Sequence, residues 1–188
     1  MLIRKGQFVN RGGVVLPGVN TSMRQWLIAY IEHAFRGVKL DGGLTIYEGE
    51  SRDRYGDEAE MCLDTTAERM DWRRVPVADL PCRHAALSFI DAAGFRFYTP
   101  AIMTVIVSGH DGNGILTDAF LFHLHGIRSS CRVRETPYCE LFNASQRAAI
   151  IRFLKFLAFS SRGCNGDDAL RKTLAKLPAC CKRMRNER

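Results

Sequence analysis

The chain lacks the segments that would tie it to a membrane or an export route. It has no run of about eighteen apolar residues, so no transmembrane helix is expected. Its start, Met1-Leu2-Ile3-Arg4-Lys5, is not followed by the apolar stretch and small-residue cleavage site of a secretory signal. Its seven cysteines are an odd number and none form a Cys-x-x-Cys. Without an export signal, that pattern predicts free thiols in a reducing cytoplasm rather than a disulfide scaffold. Motifs of chemistry are missing too. There is no Gly-x-Ser-x-Gly elbow, and Gly109 to Gly114 lacks the Lys-Ser/Thr that a phosphate-binding loop needs. Cys82 lies two residues before His84, but closeness in sequence does not make a catalytic dyad.

What is present suits a soluble single domain. The 188 residues are 46% hydrophobic and 25% charged, enough to bury one core. The net charge of +7 is unevenly spread. Residues 1–40 carry +5, residues 41–80 carry −6, residues 81–140 are balanced, and residues 141–188 carry +8. An acidic segment between basic ends implies separate contact surfaces, or ends that fold against the middle.

Periodicity predicts a mainly α fold: one helical bundle of about six helices, with room for a small β-hairpin between residues 115 and 142. Residues 1–22, rich in glycine, read as a flexible arm, residues 23–178 as the globular domain, and residues 179–188 as a basic tail. Ser22 and Gln25 form a capping-box pattern before an apolar stripe of Met23, Trp26, Leu27, Tyr30, Ile31, Ala34 and Phe35. Thr45 and Glu48 repeat the box ahead of a helix to about Arg54, which Gly49 weakens. Residues 57–69 read as an acidic helix, and Asp71 to Pro76 as a loop anchored by Trp72. A helix over 81–92 ends at Gly94, and Thr99-Pro100 starts the next, which stops at Gly109. Ser145 to Ala158 is helical, and Asp167 caps a last helix to Leu177.

Three constellations bear on chemistry or binding. His123-Leu124-His125 would put both imidazoles on one side of a strand, where His110, Asp111, Cys131 and Cys139 could complete a metal site. On a helix the two rings would diverge by about 200°. Asp53, Asp57, Glu58 and Glu60 lack the spacing of a calcium loop and suit an acidic docking face. The basic region from Arg147 to Arg188, including Arg152 and Lys155, could neutralise phosphates of a nucleic acid, although no nucleic-acid motif accompanies it.

The most distinctive run is Ser88 to Met103, Ser-Phe-Ile-Asp-Ala-Ala-Gly-Phe-Arg-Phe-Tyr-Thr-Pro-Ala-Ile-Met. Phe89, Phe95, Phe97 and Tyr98 are expected in the core, with Arg96 stacked on an aromatic or paired with Asp91 or an acid from 53–71. With Gln25-Trp26-Leu27, Asp71-Trp72-x-x-Val75-Pro76 and Ser145-Gln146-Arg147-Ala148, this run resembles the ordered motifs of an uncharacterised family of small bacterial proteins. The likeness covers roughly residues 23–160 and begins near Met23, an expected translation start. That family, a domain of unknown function, has no established active site, so no catalytic residue carries over. Small proteins of this kind resemble immunity proteins of polymorphic toxin systems, which bind a secreted toxin domain and block it without chemistry of their own. The expectation is a non-catalytic, cytoplasmic module without a cofactor, binding a cognate toxin domain through Asp53, Tyr55, Asp57, Glu58 and Glu60. The competing expectations are a metal-binding protein or enzyme around His110, His123 and His125, and a nucleic-acid binder using the basic C-terminal region.

Overall fold

A computed structural model describes residues 21–55, 67–130, 132–133, 135–160, 170 and 174. It is a mainly helical single domain. Among the described residues there are seven α-helices: α1 Thr21–Ala34, α2 Ile46–Tyr55, α3 Asp79–Cys82, α4 Ala92–Ser108, α5 Ile115–Ser130, α6 Tyr138–Leu141 and α7 Ala144–Ser160. Two short 3-10 turns, Trp72–Arg74 and His84–Ser88, link them. A minimal antiparallel hairpin, β1 Arg132–Val133 with β2 Thr136–Pro137, lies within the expected 115–142 region. Arg132 pairs with Pro137 and Val133 with Thr136.

Helix α4 is the central element. Twelve of its seventeen residues are buried, including Phe95, Phe97, Tyr98 and Ile102. It begins at Asp91, whose carboxylate accepts the Gly94 N–H at 2.7 Å, an N-cap worth about 1 kcal/mol. This corrects two expectations. Gly94 belongs to the first turn of α4 instead of ending a helix over 81–92, which is replaced by α3 and a 3-10 turn. Thr99 and Pro100 lie inside α4. Their start signal is overridden by tertiary burial: an internal proline costs about 3 kcal/mol, and the buried side chains on both sides of Pro100 hold the helix through it. The Thr99 hydroxyl turns back to the Phe95 carbonyl at 2.7 Å. Gly109 then closes α4 in the left-handed conformation, at φ 80°, as its glycine signal implies.

Around α4 the core closes with aromatic edges. Phe95 stacks on Phe120 of α5 and meets Phe142 edge-on, and Phe120 meets Phe153 of α7. Trp72 is buried, and its indole N–H donates to the Phe35 carbonyl at 3.1 Å, so the expected aromatic anchor is in place. Phe89 departs from expectation at 38% exposure, because it caps the 3-10 turn instead of facing α4. Arg96 also departs: Asp91 is engaged with backbone N–H groups, and Arg96 Nε is buried without a hydrogen-bond partner among the described residues.

Helix boundaries elsewhere differ in detail. α1 already includes Thr21 and Ser22, so Ser22 lies within the helix; residues 1–20 of the expected arm lie outside the described residues. α5 occupies the first part of the 115–142 region in which a small hairpin is expected. α7 starts with a capping box, in which Gln146 N–H donates to Asn143 Oδ1 at 2.9 Å and Asn143 N–H to Gln146 Oε1 at 3.0 Å. Ala67 to Met70 are not helical, and the rest of the expected helix over 57–69 lies outside the described residues, as do the cap at Asp167 and the tail 179–188. Leu170 and Leu174, four apart and both helical, pack on the core. Cys139 is disulfide-bonded while Cys82 is an exposed free thiol, which corrects the expectation of free cysteines throughout.

Two outcomes follow from this packing. A Cβ on Gly94 would collide with the Leu44 carbonyl and sit 3.1 Å from Asp91 Oδ1. Gly94→Ala should therefore destabilise the domain by about 1–3 kcal/mol, seen as a Tm several degrees lower in thermal circular dichroism. Thiol titration of the denatured, unreduced protein should give fewer thiols than its seven cysteines.

Candidate functional site

An open apolar groove lies between α1 and α7. Its volume is about 390 Å³, and it is lined by Met23, Trp26, Leu27, Arg152, Lys155, Phe156 and Phe159. Leu27 and Phe156 form its buried floor, while Met23, Trp26 and Phe159 are 42%, 55% and 42% exposed. The sequence pattern assigned Met23 and Trp26 to a core-facing stripe. Leu27, Ile31 and Ala34 do face the core, but α7 leaves the first turns of α1 uncovered. The Trp26 ring lies 5.6 Å from Tyr30, and the Arg152 guanidinium stands over Tyr30 at 4.4 Å. Arg24 reaches from α1 to donate to the Val107 carbonyl in the last turn of α4, a place where a cation is favoured. Lys155 is exposed and makes no hydrogen bond or ion pair with the described residues.

A second, polar feature surrounds α2. The expected Thr45/Glu48 capping box is formed. Thr45 N–H donates to Glu48 Oε2 at 2.6 Å, and Glu48 N–H to Thr45 Oγ1 at 3.1 Å. Glu48 is buried and pairs with Arg69 at 2.9 Å, while Arg69 also donates to the Gly43 carbonyl. Burial alone would raise the Glu48 carboxyl; the Thr45 N–H and hydroxyl together with the Arg69 guanidinium outweigh it and hold the group below its ordinary range. Tyr98 accepts the Ile46 N–H at 3.2 Å, and burial pushes its phenol up to about 12. Farther along, Arg83 lies over the Tyr47 ring and contacts Glu50 at 2.8 Å and Asp79 at 3.3 Å, and Tyr47 donates to Asp79. Glu50 also pairs with Arg54.

Much of the −6 segment is thus engaged in internal structure. Glu48, Glu50, Asp71 and Asp79 each meet an arginine, and Glu68 accepts the N–H groups of Met70 and Asp71. Of the five residues expected at a partner surface, Asp53 is exposed on α2 and Tyr55 is its last residue. Asp57, Glu58 and Glu60 lie outside the described residues.

The chain matches a family of unknown function, DUF6714, over residues 23–177. It belongs to this family. No curated protein and no solved structure matches it. The match to DUF6714 begins within α1 and spans α2 to α7.

The remaining candidates of this DUF6714 chain are not brought together. Residues 115–130 form the helix α5, so the strand on which His123 and His125 were expected to share a face is absent there. His123 packs against Phe95 and Phe122, while His110 is exposed beyond the end of α4. Asp111 accepts from the N–H groups of Leu116 and Thr117 and caps the start of α5. Among the described residues no group of three or more His, Cys, Asp or Glu is placed to hold a metal ion, and no helix is long and apolar enough to cross a membrane. Of the basic C-terminal third, Arg147 grips the Cys139 and Phe142 carbonyls. Arg152 and Lys155 face the groove, and the cations from Arg162 onward lie outside the described residues.

The groove escaped sequence reading because its walls come from opposite ends of the chain. Its only early signal is an excess of cations: α7 carries Arg147, Arg152 and Lys155 and no acid.

The Glu48 site carries a pH dependence with a definite sign. A carboxyl held below its ordinary value near 4.5 contributes stability that is complete above that value and lost as pH falls through the lowered one. Glu48→Gln should flatten part of the fall in Tm on the acid side of about pH 5; a wild-type acid limb in the variant would show that Glu48 is not its source.

Proposed function

We propose that the chain is a non-catalytic protein-binding module. The observation that carries this reading is the α1–α7 groove, where Trp26 and Met23 are about half exposed beside an apolar floor of Leu27 and Phe156. Apolar surface kept open next to a complete core marks an interaction site, and tryptophan and arginine are the residues on which binding energy concentrates. Among the described residues, the polar groups of Thr45, Glu48, Asp91, Asp111 and Gln146 serve as helix caps, and Glu48–Arg69 and Arg83 with Glu50 and Asp79 are ion pairs that support the fold.

Within that class, the reading we favour is a bacterial immunity protein that binds and neutralises a cognate secreted toxin domain in the cytoplasm. Its support is the resemblance read from the sequence motifs and the segregated charge of the chain. Asp53, Tyr55, Asp57, Glu58 and Glu60 would steer a basic partner, with Asp53 exposed on α2 as that role requires. Internal pairing of Glu48 and Glu50 leaves the steering to residues from Asp53 onward.

The test is co-expression with a toxin domain encoded beside this chain, followed by calorimetry of the purified pair. The chain should restore growth and bind stoichiometrically. Asp53→Lys with Glu58→Lys should weaken binding about tenfold or more while the far-ultraviolet circular dichroism is unchanged. Unchanged affinity discards that acidic surface, and failure to bind or protect discards the immunity reading.

A further inference from the structure

We propose that the α1–α7 groove receives an acidic amphipathic helix of a partner protein. The inference rests on the protein-binding reading and deepens it by naming what the groove recognises.

Shape is the first ground. Met23 and Trp26 are three apart on α1, and Arg152, Lys155, Phe156 and Phe159 recur at three- and four-residue spacing on α7. The walls are therefore two helix faces, and the space between them is the trough into which a third helix lays its apolar side chains. A floor of Leu27 and Phe156 gives those side chains somewhere to go.

Charge decides the occupant. None of the lining residues is acidic, and the two charged ones are Arg152 and Lys155. Arg152 already lies over Tyr30, whereas Lys155 has its ammonium uncommitted at the lip. A helix with carboxylates flanking an apolar stripe would bury the stripe on Trp26 and Phe156 and set an acid against Lys155. Other occupants fit less well. A second copy docking groove to groove would face Arg152 and Lys155 with their own equivalents. The chain's own first twenty residues hold Arg4, Lys5 and Arg11 and no acid, so they bring the wrong charge. A lipid surface would meet the cations but could not fill a concave floor.

Trp26 provides the readout, because it is 55% exposed while the other tryptophan, Trp72, is 3% exposed. A tryptophan-free synthetic helix with leucines on one face and glutamates beside them is titrated into the full chain. Emission should shift to the blue as Trp26 is covered. Lys155→Glu, which disturbs no internal bond, should weaken the peptide about tenfold, and raised salt should weaken it further. Trp26→Ala should remove the signal, and competition against a labelled peptide should confirm the lost affinity. The proposal is overturned if the glutamate peptide does not bind, if a lysine-for-glutamate counterpart binds equally well, or if only phosphatidylglycerol vesicles shift the emission. It is also overturned if the chain alone sediments as a dimer that Lys155→Glu dissolves. A natural protein partner that binds the Lys155→Glu and Trp26→Ala variants as tightly as wild type would sink the groove and leave the protein-binding reading standing.

Discussion

The carboxylate of Asp91 is the contact on which the rest of the packing depends. One of its oxygens takes the N–H of Gly94, starting α4, and also the N–H of Leu44, which belongs to a different part of the chain. That shared acceptor brings the 43–48 segment against the first turn of α4. Gly43 and Gly94 permit the approach, since a Cβ on Gly43 would sit 2.8 Å from the Ala93 Cβ and one on Gly94 would meet the Leu44 carbonyl. Once the segment is pinned, Thr45 and Glu48 can cap α2, Tyr98 can accept the Ile46 N–H, and Arg69 can close over Glu48 and Gly43. Replacing that oxygen would leave two backbone donors without their acceptor at the join between α4 and α2, a loss of about 1–3 kcal/mol for each one left dry.

Local chemistry was legible where the competing signals agreed. The Thr45/Glu48 box, the Trp72 anchor and the Gly109 stop form as their residues dictate, because each is settled within a few positions. Thr99-Pro100 misled because a start signal and an internal proline look identical until the surrounding burial is known. Asn143 and Gln146 carry a box as clear as that at Thr45, masked in the sequence by an apolar periodicity that starts only at Ser145. Residues 115–130 were ambiguous because a short apolar run suits a buried strand or a helix equally well, and α5 resolves it. The candidate site was less legible than the fold. Trp26 and Arg152 are 126 positions apart, and an apolar stripe does not announce which of its members a neighbouring helix will leave uncovered.

Charge tells a related story. Read as a sum, residues 41–80 look like an acidic face; placed in the fold, many of their carboxylates hold helix starts and turns together through arginines and backbone N–H groups. The cations of α1 and α7 divide in the same way. Arg24 and Arg147 grip carbonyls, Arg152 covers an aromatic ring, and Lys155 is left to face outward. The net charge of a segment overstates what it offers to another molecule.

The reciprocal cap at Asn143 and Gln146, reinforced by Arg147 on two carbonyls, fixes more than the start of a helix. It sets the rotational phase of α7. Each residue advances a helix by about 100°, so one residue inserted between Gln146 and Arg152 would swing Lys155 and Phe159 around the axis while the cap stayed in place. The chain could keep its helix content and lose its groove. Spacing from the cap, as well as the identity of the lining side chains, is therefore part of what any ligand of this face would read.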